Sequence, residues 1–491
     1  MHSDRNIAEF LEDHAVRRAR HAALIEGDRV LTYAELNPLV QRTSGLLAKL
    51  GVKSDDIVGV ALKDSADHLI VMFALARLGA VILPLDLRWT ADEKSRLTDF
   101  FDVTHAITEP GDNFGGINCQ PVDAAWHAAV ASEPDNYPCA SGGERPIVLS
   151  LSSGTTGRPK GPMMSHAQFI ARLMIQWVSL GFSQHDRYLS ATPLYFGGGR
   201  GFTMGCMFSG STVIMFPPPY SAQELVDAVT DLKPTTLLVV PTILRQLLEL
   251  PDPGKPLMGG LKRLLSTGAI LHPDERDAAM ARLNPEFINY YGSTEGGGIS
   301  VLLPEHQGEA ALSVGEPVFS TKVQVVDDNG HPLPAGEAGL IRYSGPSVAK
   351  SFHNDPEASA EAFRDGWFYP GDIGKIDEDG RIYLVGRSKD VIIRAGVNIY
   401  PAEIEQVLLT DPTVRDAAVV AWPSKMRGED IAAFVVTNGS IVEEDLINHC
   451  RSTLAPYKAP KQIFVIDELP KSPLGKVLKA DLVKLLPDQD G

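Results

Sequence analysis

The chain has 491 residues, 44% of them hydrophobic and 22% charged, and a formal net charge of −17. That length allows more than one domain with a sizeable core, and that mix belongs to a globular chain rather than a disordered one. The acidic balance argues against non-specific nucleic-acid binding, so any cations that handle an anion must be placed locally.

The first twenty residues mix acidic and basic side chains without an apolar run, so no signal peptide is expected. Cys119, Cys139, Cys206 and Cys450 form no C-x-x-C pair. Neither a zinc site nor a disulfide framework is expected, and a reduced cytoplasmic setting fits. Residues 201–219 carry no charge but are broken by glycine and end in three prolines, so they read as buried core rather than a membrane span.

Strand-like runs at 57–62, 80–85, 212–216, 235–240, 261–265 and 287–290 alternate with helix-like stretches. The latter lie at 67–78, from 91 onward, and at 222–232, 242–250 and 273–283. Alternation at this spacing predicts a layered α/β body with largely parallel sheets. Residues 314–351 are rich in glycine, proline and β-branched side chains and predict a β-rich subdomain. The turn at 377–380 leads into another strand at 381–385. Beyond it, helices at 402–409 and 443–454 and strands near 414–421 and 431–436 predict a compact α+β unit. A boundary at Lys389 divides the chain into a large N-terminal domain, 1–388, and a small C-terminal α+β domain, 389–491.

The run Ser152-Ser153-Gly154-Thr155-Thr156-Gly157-Arg158-Pro159-Lys160-Gly161 follows an apolar, strand-like segment. Its glycines let backbone N–H groups crowd a ligand, and its hydroxyls and Lys160 add donors and charge. Consecutive N–H groups in such a turn make a concavity suited to phosphate. The bland reading is a flexible turn, but the Pro-Lys-Gly ending and the preceding strand argue for a triphosphate cradle. It is not a Walker loop, because Lys160 is followed by Gly161 rather than Ser or Thr.

Five more clusters follow in order: Ser266 to Ala269, Asn289 to Glu295, Trp367 to Asp372, Gly386 to Asp390 with Gly396 to Pro401, and Pro470 to Lys476. Taken singly, Asp372 reads as a turn former, Glu295 as a helix N-terminal acid, Tyr290 and Tyr291 as strand core, and Lys476 as a solvated lysine. Together the six clusters resemble the acyl-adenylate-forming superfamily, which holds acyl-CoA synthetases, adenylation domains and firefly-type luciferases. The resemblance runs from about residue 28 to 486.

The resemblance implies a two-step ligase using ATP, Mg²⁺ and coenzyme A. It places Ser152, Ser153, Gly154, Thr155, Thr156, Gly157 and Lys160 at the β and γ phosphates, Thr294 at the α-phosphate, and Glu295 on the metal. Gly268, Ala269, Asn289 and Tyr291 would surround the adenine, while Asp372 and Arg387 would serve the ribose. Lys476 would assist the first step, Lys389 would be the hinge between steps, and Gly396 would let a pantetheine arm pass.

Three positions depart from the usual pattern: Phe196 stands where many relatives have His, Pro370 where Thr is common, and Pro162 where an aliphatic residue is common. The acid pocket is expected to be lined by Tyr195, Phe196 and Gly197 on to Gly199, Val240 to Leu244, Gly268, and Gly292 to Ile299. The bare triplets 197–199 and 296–298 are expected to leave room for a bulky or elongated hydrophobic acid. Arg200 would either pair with a second substrate carboxylate or, the favoured reading, face water or a structural acid. The expected partners are a carboxylic acid and coenzyme A. The alternatives are an acyl carrier protein as acceptor, or a catalytically silent nucleotide-binding relative. Oligomeric state is not readable, a homodimer being one option.

Overall fold

The structure is a computed structural model describing residues 4–114, 116–151, 160–269, 271–308, 310, 312–394, 397–424, 428–439, 441–472 and 475–487. It divides into two compact units. One comprises Met1–Ala311, Gly315–Lys322 and Tyr343–Phe368; the other comprises Leu312–Val314, Val323–Arg342 and Tyr369–Gly491.

The first unit holds two α/β sheets. The nine-stranded sheet runs in the order Glu316–Pro317, Gly297–Leu302, Phe287–Ser293, Arg263–Ser266, Thr236–Val239, Arg187–Ser190, Thr212–Met215, Ala22–Glu26, Arg29–Thr32. Its inner strands pair in parallel and its outer ones antiparallel. The six-stranded sheet runs Asn118–Pro121, His105–Thr108, Ile57–Ala61, Val81–Pro84, Pro146–Leu149, Met163–Ser165, and is parallel up to its last pair. Strands such as Thr212–Met215 and Thr236–Val239 are buried at every residue. That is why they read as unbroken apolar runs: parallel strands are covered on both faces.

Helices close the layers. Ala66–Leu78 is buried at every position but Asp67, and it is capped by Ser65 and by left-handed Gly79. Ala222–Leu232 buries only the stripe Leu225, Val226, Ala228 and Val229, and begins in a capping box at Ser221. The stretch predicted as one helix over 273–283 is α-helical over Pro273–Ala278 and a π-helix over Ala279–Leu283. The periodicity missed Gly197–Phe208, a helix with five glycines in twelve residues. Propensity opposes it; burial against helix His166–Leu180 provides the stability. No described helix is long and apolar enough to cross a membrane.

In the second unit, Asp372–Ile376 pairs antiparallel with Ile382–Arg387 through the turn at 377–380, over a small core of Val325, Ile341 and Ile382. Farther on, Val414–Ser424 pairs antiparallel with Gly428–Thr437, and Gln462–Val465 joins in parallel. Helices Pro401–Leu409 and Glu443–Thr453 bury Ile404, Leu408, Leu446 and Ile447 in one core with Ile431 and Ile463. The other face packs Trp422, Phe434 and Leu482.

Candidate active site

From Arg187 onward, chain order reverses once in the parallel part of the nine-stranded sheet. After Arg187–Ser190 the chain adds Thr212–Met215 on one side, then crosses to add Thr236–Val239, Arg263–Ser266 and Phe287–Ser293 on the other. Ligands of open α/β sheets bind in the crevice that such a reversal opens at the carboxyl ends of the strands. The predicted site residues of this unit leave those ends. Tyr195, Phe196 and Gly197 follow Arg187–Ser190, Gly268 and Ala269 follow Arg263–Ser266, and Thr294 and Glu295 follow Phe287–Ser293. Thr192 Oγ1 donates to the Leu238 carbonyl at 3.0 Å and so pins the first loop to the neighbouring strand.

The loop carrying Tyr195 is held from three sides. The Asp64 carboxylate accepts from the Leu194 amide at 3.0 Å. Arg200 donates to the carbonyls of Leu194 and Tyr195 at 3.1 and 3.2 Å. Arg88, itself paired with Asp86 at 2.6 Å, donates to the Tyr195 hydroxyl. The Tyr195 and Phe196 rings then lie 4.2 Å apart, both half-buried. Burial and the nearby Asp86 carboxylate hold the Tyr195 phenol above its usual range.

Arg200 corrects the favoured reading of the sequence. It is 2% exposed, so it does not face water, and among the described residues its hydrogen-bond partners are two carbonyls and the Ser150 hydroxyl rather than an acid. Desolvation and neighbouring Arg172 push its guanidinium down to about 9.

Asn289 and Tyr291 sit two residues apart in a strand and therefore share a face. Asn289 is buried and Tyr291 half-buried, while Tyr290 points the other way and packs on Phe202 at 5.6 Å. Thr294 and Glu295 lie in the turn between Phe287–Ser293 and Gly297–Leu302, not at a helix N-terminus. Gly297, at φ +78°, closes that turn. Arg172 donates to the Thr294 carbonyl at 3.2 Å, the Ala349 amide to the Glu295 carbonyl at 2.8 Å, and Tyr343 bonds the Ser293 hydroxyl. Among the described residues the Glu295 carboxylate meets no hydrogen-bond or ion-pair partner.

The two glycine triplets differ, which corrects the expectation that both leave room. A Cβ at Gly197 would meet nothing within 4 Å, and one at Gly198 only Leu238 at 3.7 Å and Thr267 at 3.9 Å. At Gly199 it would strike the Pro193 backbone, at Gly296 the Tyr343 ring, at Gly297 the Arg172 side chain, and at Gly298 the Tyr290 phenol. Those glycines permit close packing and open no space. Gly292 likewise lies against the Gly297 backbone.

Lys160 is half-buried, with its ammonium 5.1 Å above the Phe352 ring. Ser152, Ser153, Gly154, Thr155, Thr156, Gly157 and Gly396 lie outside the described residues.

In the second unit Asp372 and Arg387 face each other across paired strands, and Arg387 Nε donates to Asp372 Oδ1 at 2.8 Å. Lys476 keeps exposed surface, yet its ammonium is held below the usual lysine range by desolvation, then by Arg387 and Lys389. Lys389 is exposed in the short helical turn Ser388–Asp390.

The family model described as AMP-binding enzyme matches residues 11–353. The chain belongs to this family. The model of the AMP-binding enzyme C-terminal domain matches residues 403–476. Among curated relatives, a feruloyl-CoA synthase of Amycolatopsis sp is 34% identical over 95% of this chain and 97% of its own. A 2-succinylbenzoate–CoA ligase of Bacillus licheniformis is 31% identical over 96% and 98%. A fatty acid–[acyl-carrier-protein] ligase of Streptomyces coeruleorubidus is 31% identical over 94% and 92%. Among solved structures, ATP-bound MatB from Rhodopseudomonas palustris superposes with a TM-score of 0.92 at 27% identity, covering 98% of both chains. The o-succinylbenzoate coenzyme A synthetase of Bacillus subtilis, in complex with ATP and magnesium ion, gives 0.87 at 27% identity, covering 98% of this chain and 99% of its own. This AMP-binding enzyme therefore has the mixed α/β architecture of adenylate-forming enzymes, with a large N-terminal and a small C-terminal part.

Several residues at the site escaped the sequence reading. Asp86 and Arg88 carried a weak signal, two opposite charges just past the strand-like run 80–85. Asp64, Arg172 and Tyr343 carried none, because each acts on a segment more than forty residues away.

Proposed function

We propose that this enzyme is an acid–CoA ligase. It joins a hydrophobic carboxylic acid to the AMP part of ATP, then passes the acyl group to coenzyme A. The observation that carries the reading is the strand reversal, with the Tyr195 loop and the Thr294–Glu295 turn both leaving the carboxyl ends of strands in that sheet. The named activities of the full-length relatives support it.

In the first step a substrate carboxylate oxygen attacks the α-phosphorus, and pyrophosphate leaves. The carboxylate needs no base, since its pKa is near ~4. The protein must hold two anions in line and offset the charge that builds on the phosphoryl oxygens. We assign Lys160 and the hydroxyls of 152–156 to the β and γ phosphates, Thr294 to the α-phosphate, Asn289 and Tyr291 to the base, and Asp372 and Arg387 to the ribose. Lys476 serves the same step. A thiol then attacks the acyl carbon and AMP departs. We assign the hinge between the steps to Lys389, with 1–388 and 389–491 as the two domains it joins.

Magnesium fits what is present. Glu295 offers a half-buried, unpartnered carboxylate, and no cluster of three acidic, His or Cys ligands occurs among the described residues. One protein carboxylate beside phosphate oxygens and water is a usual Mg²⁺ environment. When bound, the ion neutralises phosphate charge.

The test is a panel of aryl, fatty and dicarboxylic acids, scored for AMP release with and without coenzyme A. AMP, pyrophosphate and a thioester are expected from at least one acid. The relative named as a carrier-protein ligase favours a second reading, loading of an acyl carrier protein. Acid-dependent pyrophosphate exchange without any coenzyme A thioester would select it. ATP binding without acid-dependent AMP release would sink both.

A further inference from the structure

Arg200 sits where a cation is poorly tolerated. It is fully buried, in the first turn of helix Gly197–Phe208, where the helix dipole is positive. The nearby charge acting on it is a second buried cation, Arg172. Buried charges ordinarily pair with an opposite charge. Arg200 instead spends both Nη atoms on neutral oxygens: the carbonyls of Leu194 and Tyr195, and the Ser150 hydroxyl at 2.5 Å. Ser150 ends the run from strand Pro146–Leu149 in the other sheet, and its amide donates to the Pro162 carbonyl at 3.3 Å. One side chain thus ties the loop after Arg187–Ser190 to the far sheet.

We propose that Arg200 is a positioning residue that sets the acid pocket from behind, by clamping the 194–196 loop against Ser150. The loop's other anchors act at its ends and its rim: Thr192 Oγ1 bonds the Leu238 carbonyl and the Phe196 amide the Pro193 carbonyl. Asp64 takes the Leu194 amide, and Arg88 holds the tip of Tyr195 from the exposed side. Arg200 supplies the bonds to the loop's inward carbonyls. Without it, the Tyr195 and Phe196 rings lose their fixed orientation toward the crevice. Three of its five N–H donors are spent on Leu194, Tyr195 and Ser150, and Nε, buried, meets no hydrogen-bond partner among the described residues. As a clamp Arg200 acts on every acid alike, whereas a second substrate carboxylate bound at Nε would single out the dicarboxylic acid. This inference rests on the ligase reading for its kinetics but not for its structural test.

The variants are Arg200→Met, Arg200→Lys and Ser150→Ala in the full chain. The first readout is amide exchange of 194–198 against strand Arg187–Ser190. Ser150→Ala, which removes one charged hydrogen bond, is expected to speed exchange in the loop about tenfold relative to the strand, and Arg200→Met, which removes three, by at least as much. The second readout is pyrophosphate exchange with ferulate, octanoate and 2-succinylbenzoate. KM for each active acid should rise about tenfold while KM for ATP stays within about threefold, and Arg200→Lys should restore part of it. Unchanged loop exchange in both Arg200→Met and Ser150→Ala would overturn the proposal, as would a loss confined to the dicarboxylic acid. A wild-type protein inert to every acid would remove the ligase reading, and the amide-exchange comparison would still decide this one.

Discussion

Adding a methyl group to each glycine triplet gives opposite results. At Gly198 the new Cβ lies 3.7 Å from Leu238 Cδ2 and 3.9 Å from Thr267 Cγ2, which is ordinary van der Waals contact. Gly198 is in a helix, where replacing glycine by alanine gains about 0.5–1 kcal/mol by restricting the unfolded chain. Gly198→Ala should therefore fold normally and unfold at equal or slightly higher temperature. At Gly298 the Cβ would collide with the phenol of Tyr290, which is 5% exposed and packed on Phe202. Overpacking of that kind costs about 1–3 kcal/mol. Gly298→Ala should lower the unfolding midpoint in urea, followed on the first transition because the protein has two units. Function should separate the two further. Gly198 directly follows the Tyr195 loop, so on the ligase reading the largest acids accepted should lose about 10- to 100-fold in kcat/KM, the worth of a methylene in a pocket, while small acids are spared. A Gly198→Ala protein destabilised by more than about 1 kcal/mol, or a neutral Gly298→Ala, would refute this account of which glycines leave space.

Lys476→Ala should slow acyl-adenylate formation about 100-fold or more, the scale of losing one charge aimed at the reacting phosphoryl group. Thioester formation from a supplied acyl-adenylate should persist, and single-turnover assays of the two steps check this. Arg88→Ala leaves the Asp86 carboxylate, only 8% exposed, without its cation, so stability should fall by about 1–3 kcal/mol rather than by the smaller amount an exposed pair is worth. The freed Tyr195 hydroxyl should also raise KM for the acid several-fold in steady-state assays. Glu295→Gln should leave the thermal midpoint within a few degrees and raise the magnesium concentration needed for half-maximal pyrophosphate exchange about tenfold. Burial, and after it Arg145, pushes the His166 imidazole down to about 3, so it is neutral in the folded protein. Below about pH 6.5 the unfolded chain takes up a proton the folded one does not. This group then removes about 1.4 kcal/mol of stability per pH unit down to about pH 3, and none above pH 6.5. His166→Gln should flatten that share of the acid slope in urea titrations between pH 7 and 5.

The sheets were legible because their strands announce themselves locally. The runs at 57–62 and 212–216 became Ile57–Ala61 and Thr212–Met215, and the stretch at 222–232 became helix Ala222–Leu232. Four-residue apolar runs bounded by turns can hardly be anything but buried strands in an alternating chain. The helix Gly197–Phe208 was not legible, because five glycines hide it and only packing creates it. The same holds for Arg200. Its sequence neighbours are glycines, which promise open space and solvent, whereas its partners Ser150 and Leu194 come from two different segments. Gly296, Gly297 and Gly298 misled for the complementary reason: an absent side chain reads as a void until the residues that fill it, Tyr343, Arg172 and Tyr290, are known.

The order of short motifs along the chain was enough to assign the family and the layered fold, since each motif is a local matter of glycine, hydroxyl and charge spacing. The folded molecule alone decided where the crevice opens, which bare positions are truly empty, and what a buried guanidinium holds. Those are questions of distance between residues far apart in sequence, and no periodicity within one segment encodes them.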